Sequence, residues 1–154
     1  MSKLATAKKK RPLWKCPACG QQFVTRNMSH SCGYHTIDEH FMGKTPEIRH
    51  IFEALVRAVR RFGRVHVYAQ KSRIVFQTRG RFVAITPRKH YLGGHIWLKR
   101  PRSHPLVFRI ESLLDRDFGH NFRLTHGEDL DESFCDLLRE AYSVGSQDFD
   151  PDRE

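Results

Sequence analysis

The sequence predicts an α+β fold: an antiparallel sheet of about six strands between an N-terminal and a C-terminal helix, with a small N-terminal zinc module. Three observations carry that expectation. Two segments with helical apolar spacing bracket the middle of the chain. Between them run short β-branched and aromatic stretches cut by Gly and Pro. Ahead of the first helix, three Cys and three His crowd into residues 16–40.

The elements follow in order. Residues 1–11 are small and basic and read as a disordered arm. Residues 12–43 hold the Cys/His module, ending in a short helix started by the Thr36-x-x-Glu39 capping box. The α+β domain spans 44–145. Its first helix opens with Thr45 as N-cap and Pro46 at the first helical position. Ile48, Ile51, Phe52, Leu55, Val59 and Phe62 then form one stripe, and Gly63 ends it. Strands are expected at 64–69, 74–76, 82–85, 95–98, 106–110 and 121–124. Gly80, Pro87, Gly93-Gly94, Pro101, Pro105 and Gly119 act as breakers between them. A capping box at Asp129-x-x-Glu132 starts the last helix, whose stripe is Leu130, Phe134, Leu137, Leu138, Ala141 and Tyr142. Gly145 closes it, and residues 146–154 form an acidic tail.

Charge is segregated. The net charge is +10 with pI about 9.8. Residues 41–110 hold sixteen Lys/Arg and only two acids, whereas residues 111–154 hold four Arg against thirteen acids. A positive region of this kind attracts DNA, RNA or small anions, or pairs with the protein's own acidic end. No run approaches the roughly 18 apolar residues of a membrane helix, and no secretory signal is visible. The expectation is a soluble, cytoplasmic protein with its cysteines reduced or metal-bound.

Cys16-Pro17-Ala18-Cys19-Gly20 has the spacing of a metal knuckle, with Gly relieving the turn. Two ligand sets are open. One is Cys16, Cys19, His30 and Cys32; the other is Cys16, Cys19, Cys32 and His35, with the more even spacing. His40 is a further alternative. Four protein ligands would leave zinc no open position, so the site would be structural. Phe23 supplies an apolar plug between the pairs. Cys135 reads as a half-buried thiol of the last helix.

The run Pro12-Leu13-Trp14-Lys15-Cys16-Pro17-x-Cys19-Gly20, then Phe23, Arg26-Asn27 and His30-Ser31-Cys32-Gly33, resembles a bacterial family catalogued as domain of unknown function 5655. The likeness continues in His40-Phe41-x-Gly43-Lys44, Arg61-Phe62-Gly63, Ile74-Val75-Phe76-Gln77 and Thr86-Pro87-Arg88-Lys89, over about residues 11–145. The resemblance implies that His-Ser-Cys follows the Cys-x-x-Cys, which favours the set with His30 and keeps His40 as a substitute. It implies a zinc-finger-like N-terminus on an α+β domain, and no activity.

Catalytic motifs are scarce. There is no phosphate-cradling Gly loop, nucleophile elbow or metalloprotease His pair, and Asp115, Asp117 and His120 read as turn residues. The residues favour a binding protein over an enzyme. Strand alternation places His66, Tyr68, Gln77, Arg81, His95, Trp97 and Arg109 on one polar face, with Arg79, Arg88 and Lys89 at its rim. Aromatics interleaved with cations suit base stacking and phosphate contact, so nucleic acid is the first expectation. A small anionic ligand, or a protein partner of the zinc module, is the alternative.

Overall fold

The computed structural model describes residues 10–30, 32–114 and 116–152. Apart from Lys10 and Arg11, the expected basic arm lies outside the described residues. Two short strands, β1 (Trp14–Lys15) and β2 (Gln22–Phe23), pair as a ribbon around the Cys-x-x-Cys turn. A 3-10 turn at Asp38–Phe41 leads into α1 (Pro46–Arg60). Six strands follow: β3 (His66–Ala69), β4 (Ile74–Gln77), β5 (Arg81–Pro87), β6 (Leu92–Leu98), β7 (Val107–Ser112) and β8 (Phe118–Leu124). The last helix is α2 (Glu132–Gly145).

The six strands form one antiparallel sheet in the order β3-β4-β5-β6-β8-β7. Both helices cover the same face. Phe76, Val83 and Ile96 stand directly opposite one another across β4, β5 and β6, so all three point to that side. With Ile74, Ile85, Leu92, Leu98, Phe122 and Leu124 they meet the α1 stripe (Ile48, Ile51, Phe52, Leu55, Val59) and the α2 stripe (Phe134, Leu137, Leu138, Ala141). Each fully buried Leu, Ile or Phe contributes roughly 1.5–3 kcal/mol. Among the described residues, the polar side chain sealed on this side is His120, opposite Ile96. It is satisfied: its Nε2 accepts the Arg102 N–H at 2.8 Å.

Three local readings need correction. Gly93-Gly94 and Gly119 lie inside β6 and β8 and do not break them. Gly94 is on the helix-side face, and a Cβ there would come within 2.6 Å of the Ala84 carbonyl and 2.8 Å of the Phe122 ring. The glycine permits close packing. The α2 cap is Asp131, which accepts the Phe134 N–H at 2.9 Å, while Asp129 turns back to the Thr125 and His126 N–H groups. Thr45 holds the N-cap position of α1, but its hydroxyl donates to the Lys89 carbonyl at 3.4 Å, so Pro46 sets the helix start alone.

Gly94→Ala is expected to lower stability by about 1–3 kcal/mol through overpacking. Urea unfolding checks this; an unchanged midpoint would contradict the close approach of β5 and Phe122.

Candidate metal centre and the cleft beside it

The ribbon is built to converge its ligands. Gly20 adopts φ +78°, a left-handed conformation that glycine takes without strain, and its N–H returns to the Cys16 carbonyl at 2.9 Å. That turn brings Cys16 and Cys19 together. Trp14 stacks on Phe23, and Phe23 is buried 4.5 Å from the His30 ring. This is the small plug expected of Phe23, and it presses His30 toward the cysteines.

The ligand atoms of Cys16, Cys19, His30 and Cys32 all lie within 4.8 Å of one another. Cys16 and Cys32 Sγ are 3.7 Å apart, and His30 Nε2 is 3.2 Å from both Cys19 and Cys32 Sγ. Tetrahedral zinc, with Zn–S of about 2.3 Å, separates its sulfurs by about 3.8 Å. His30 Nδ1 donates to the Met28 carbonyl at 2.6 Å, which fixes the tautomer and turns the Nε2 lone pair toward the thiols. Three thiols so close cannot all ionise unaided. The Cys19 backbone N–H draws the Cys16 thiol down to about 6, and Cys32, hydrogen-bonded to Cys16, is pushed up to about 11. A divalent cation resolves that conflict by accepting every thiolate. This donor set can hold a metal ion.

The alternative ligands do not join it. His35 faces Glu39 at 3.8 Å, and His40 Nε2 donates to the Gln70 carbonyl at 2.7 Å. Asp117 pairs with Lys99, Asp115 lies outside the described residues, and Cys135 is half-buried with its thiol pKa raised by burial.

The second sheet face sets His66 opposite Gln77, and Tyr68, Val75, Ala84, His95 and Asn121 succeed one another across the strands; its centre is less polar than expected, since Tyr68, Val75, Ala84 and Trp97 pack into a small apolar cluster. The Cys/His ribbon lands on this face. Gln77 donates to the Gln22 carbonyl, Tyr68 donates to Gln77 Oε1 at 2.6 Å, and the Arg81 guanidinium covers the Phe23 ring at 5.4 Å. Tyr68 and Gln77 are therefore buried, 8% and 4% exposed, and dock the ribbon instead of meeting a ligand. Arg79 clamps Gln147 and the Arg11 carbonyl. His66 stacks on Tyr68 at the exposed border. Arg88 and Lys89 sit in the turn between β5 and β6, and Arg109 pairs with Glu111 on β7. The ten expected binding residues are thus spread over several places.

What remains beside the ribbon is a cleft of about 590 Å³, walled by Val24 and Met28 on the ribbon side, by Arg73, Arg81 and Trp97 of the sheet, by Leu113, Leu114 and the Lys99–Asp117 pair around the β7–β8 turn, and by the end of α2. Sequence reading passed over Arg73. It lies in the turn before β4, where its Nε donates to Gln70 Oε1 at 2.9 Å, and its guanidinium stands 5.8 Å from the Trp97 ring. Its parity with Val75 and Gln77 is the signal that could have placed it on that face. Arg73 and Arg81 have no acidic partner among the described residues. Burial and the Arg81 charge both lower the Arg73 pKa. His95, edge-on to Trp97 at 4.5 Å, is pushed down to about 4, first by burial and then by Arg73.

Fold and site together define an α+β protein with a Cys3His cluster able to hold a metal ion. The model of the family described as Domain of unknown function (DUF5655) matches residues 37–145, and the chain belongs to that family. The match takes in α1, the sheet and α2. It begins after the Cys/His ribbon, so the likeness expected over residues 11–36 finds no support in it. No curated protein and no solved structure matches the chain. Among the described residues no helix is long and apolar enough to cross a membrane.

Two outcomes are expected. Metal analysis of purified protein should show loss of bound metal in Cys19→Ser and His30→Ala and retention in His35→Ala and His40→Ala; the reverse pattern would move the centre. His95 is neutral when folded and protonates near 6.5 when unfolded, so its contribution to stability is full above that pH and is lost as pH falls toward 4. Chemical denaturation across this window should show a flatter pH dependence for His95→Gln than for wild type, and parallel curves would contradict the assignment.

Proposed function

We propose that the chain is a zinc-organised binding protein whose cleft, beside the Cys/His ribbon, takes a small anion with a flat apolar part. The observation that carries this reading is the pair of half-buried guanidiniums, Arg73 and Arg81, neither in an ion pair among the described residues, while the acid that lines the same cleft, Asp117, is held by Lys99. Like charges gathered in a partly desolvated place raise each other's free energy, and an anion relieves it. Two guanidiniums suit phosphate or carboxylate by paired hydrogen bonds, and Trp97 offers a flat wall. The cleft volume falls within the roughly 300–1,000 Å³ usual for small ligands. Zinc is the ion that suits three cysteines and one histidine, and with four protein ligands it would act structurally. Its task is to hold the ribbon wall of the cleft in place.

A second reading, nucleic acid, is favoured by a different surface. Arg60, Arg64, His66 and Arg79 border an open depression beside β3. Arg57, Arg60, Arg61 and Arg64 make no ion pair among the described residues. With Tyr68 and Gln77 buried, such binding would rest on phosphate contacts more than on stacking.

The test is a titration of metal-loaded protein with pyrophosphate and AMP, followed by thermal melting. Wild type should be stabilised, and Arg73→Gln and Arg81→Gln should each weaken binding tenfold or more. No response to either probe, with no retained small molecule in native mass spectrometry, would refute the cleft reading. A parallel titration with DNA and RNA at two salt concentrations separates the second reading: affinity that falls steeply with salt and drops in Arg60→Gln/Arg64→Gln supports it.

A further inference from the structure

We infer that the protein self-associates through β7, two copies joining edge to edge, antiparallel, about a two-fold axis at Ile110. β7 pairs with β8 on one side only, so its outer edge carries backbone donors and acceptors with no strand beside them. Natural sheets shield such edges with cover, shortness or charge. The opposite edge strand, β3, has four residues, whereas β7 has six. Of seven large apolar residues exposed on the described surface, two lie on β7 itself, Phe108 (59% exposed) and Ile110, while Leu113 and Leu114 in the turn after it line the cleft. The irregularity between Val107 and Arg109 is confined to the start, and Arg109–Ser112 pair in step with β8.

Charge order identifies the occupant as a second copy. Arg109 and Glu111 are two residues apart and therefore share a face of the strand. Antiparallel pairing centred on Ile110 sets Arg109 against the partner's Glu111, and Glu111 against the partner's Arg109. Ile110 then meets its own symmetry mate, and Phe108 lies across from the partner's Ser112. Opposite charges directly across a strand pair are favourable, and like charges are not. A slip of two residues in one direction brings Arg109 against Arg109, and in the other Glu111 against Glu111. The sequence of β7 thus selects one self-complementary register. In the single chain, Arg109 Nε and Glu111 Oε1 are 3.1 Å apart on an exposed surface, and the same oxygen accepts from Asn121 Nδ2 at 3.4 Å; the exposed Arg109 can exchange its contact for the cross-strand one. An isologous contact of this kind closes at two copies and does not propagate.

The experiment is sedimentation velocity of the full chain over a wide concentration range. Wild type should pass from monomer to dimer as concentration rises. Arg109→Glu and Glu111→Arg should each weaken association tenfold or more, with unchanged thermal melting showing that the exposed substitutions leave the fold intact. Each variant alone sets like charges against each other. Mixed together, one acidic strand faces one basic strand, so the mixture should regain the dimer, as should the double variant Arg109→Glu/Glu111→Arg. A wild type that stays monomeric, single variants that dimerise like wild type, a mixture without recovery, or assemblies beyond two copies would overturn the inference.

Discussion

The hydrogen-bonded link from Tyr68 through Gln77 to the Gln22 carbonyl, beside the Arg81–Phe23 contact, joins the two parts of this molecule. A ribbon of two two-residue strands cannot bury a core of its own. It must borrow one, and the polar face of the sheet supplies the place. Metal ligation would close the ribbon on its far side, while Gln77 and Tyr68 anchor it on the near side. The cleft, the burial of the expected stacking residues and the isolation of Arg73 with Arg81 are all consequences of where that ribbon comes to rest.

The helix-covered half of the fold was legible because it obeys periodicity. Spacings of three and four in α1 and α2, and alternation in β4 and β5, each encode a face, and one sheet with two helices on one side is the arrangement that buries them all. The misread positions share a cause: their roles are set from outside their own segments. Gly94 looks like a breaker until the Phe122 ring is laid over it, and Asp129 looks like a cap until Asp131 takes the position. The Cys/His quartet was nearly legible, since spacing limits which side chains reach one point. The choice between His30 and His35 needed the Met28 carbonyl, which only the folded turn presents. Tyr68 and Gln77 were placed on the correct face, but local pattern carries no sign that a distant ribbon covers them. Arg73 was lost because a turn residue looks solvated until its neighbours are known.

The basic character of the chain is dispersed by the fold. Arg100 and Arg102 share Glu140, Arg49 lies between Asp38 and Glu53, and Lys10 meets Asp148 near the C-terminus. Part of the positive charge of the middle segment is thus answered by the chain's own acids. The remainder falls in separate patches: the end of α1, the turn between β5 and β6, and the cleft. Charge segregation left two outcomes open, a positive surface for anions or pairing with the chain's own acids, and the distribution of partners shows part of each.

The sheet order has a consequence for how the chain assembles. β7 leaves β6 and crosses to the rim, where nothing receives it until β8 arrives and fills the gap between them. β7 and β8 close as a local hairpin over residues 113–117, just as each strand from β3 to β6 closes with its successor, at little loop entropy. The costly step is the docking of that hairpin, because β6 and β8 can pair only once the whole of β7 has looped out between them. The rim that bears the exposed Phe108, Ile110 and Leu114 therefore reaches the sheet as the outer half of a hairpin, carried in by β8.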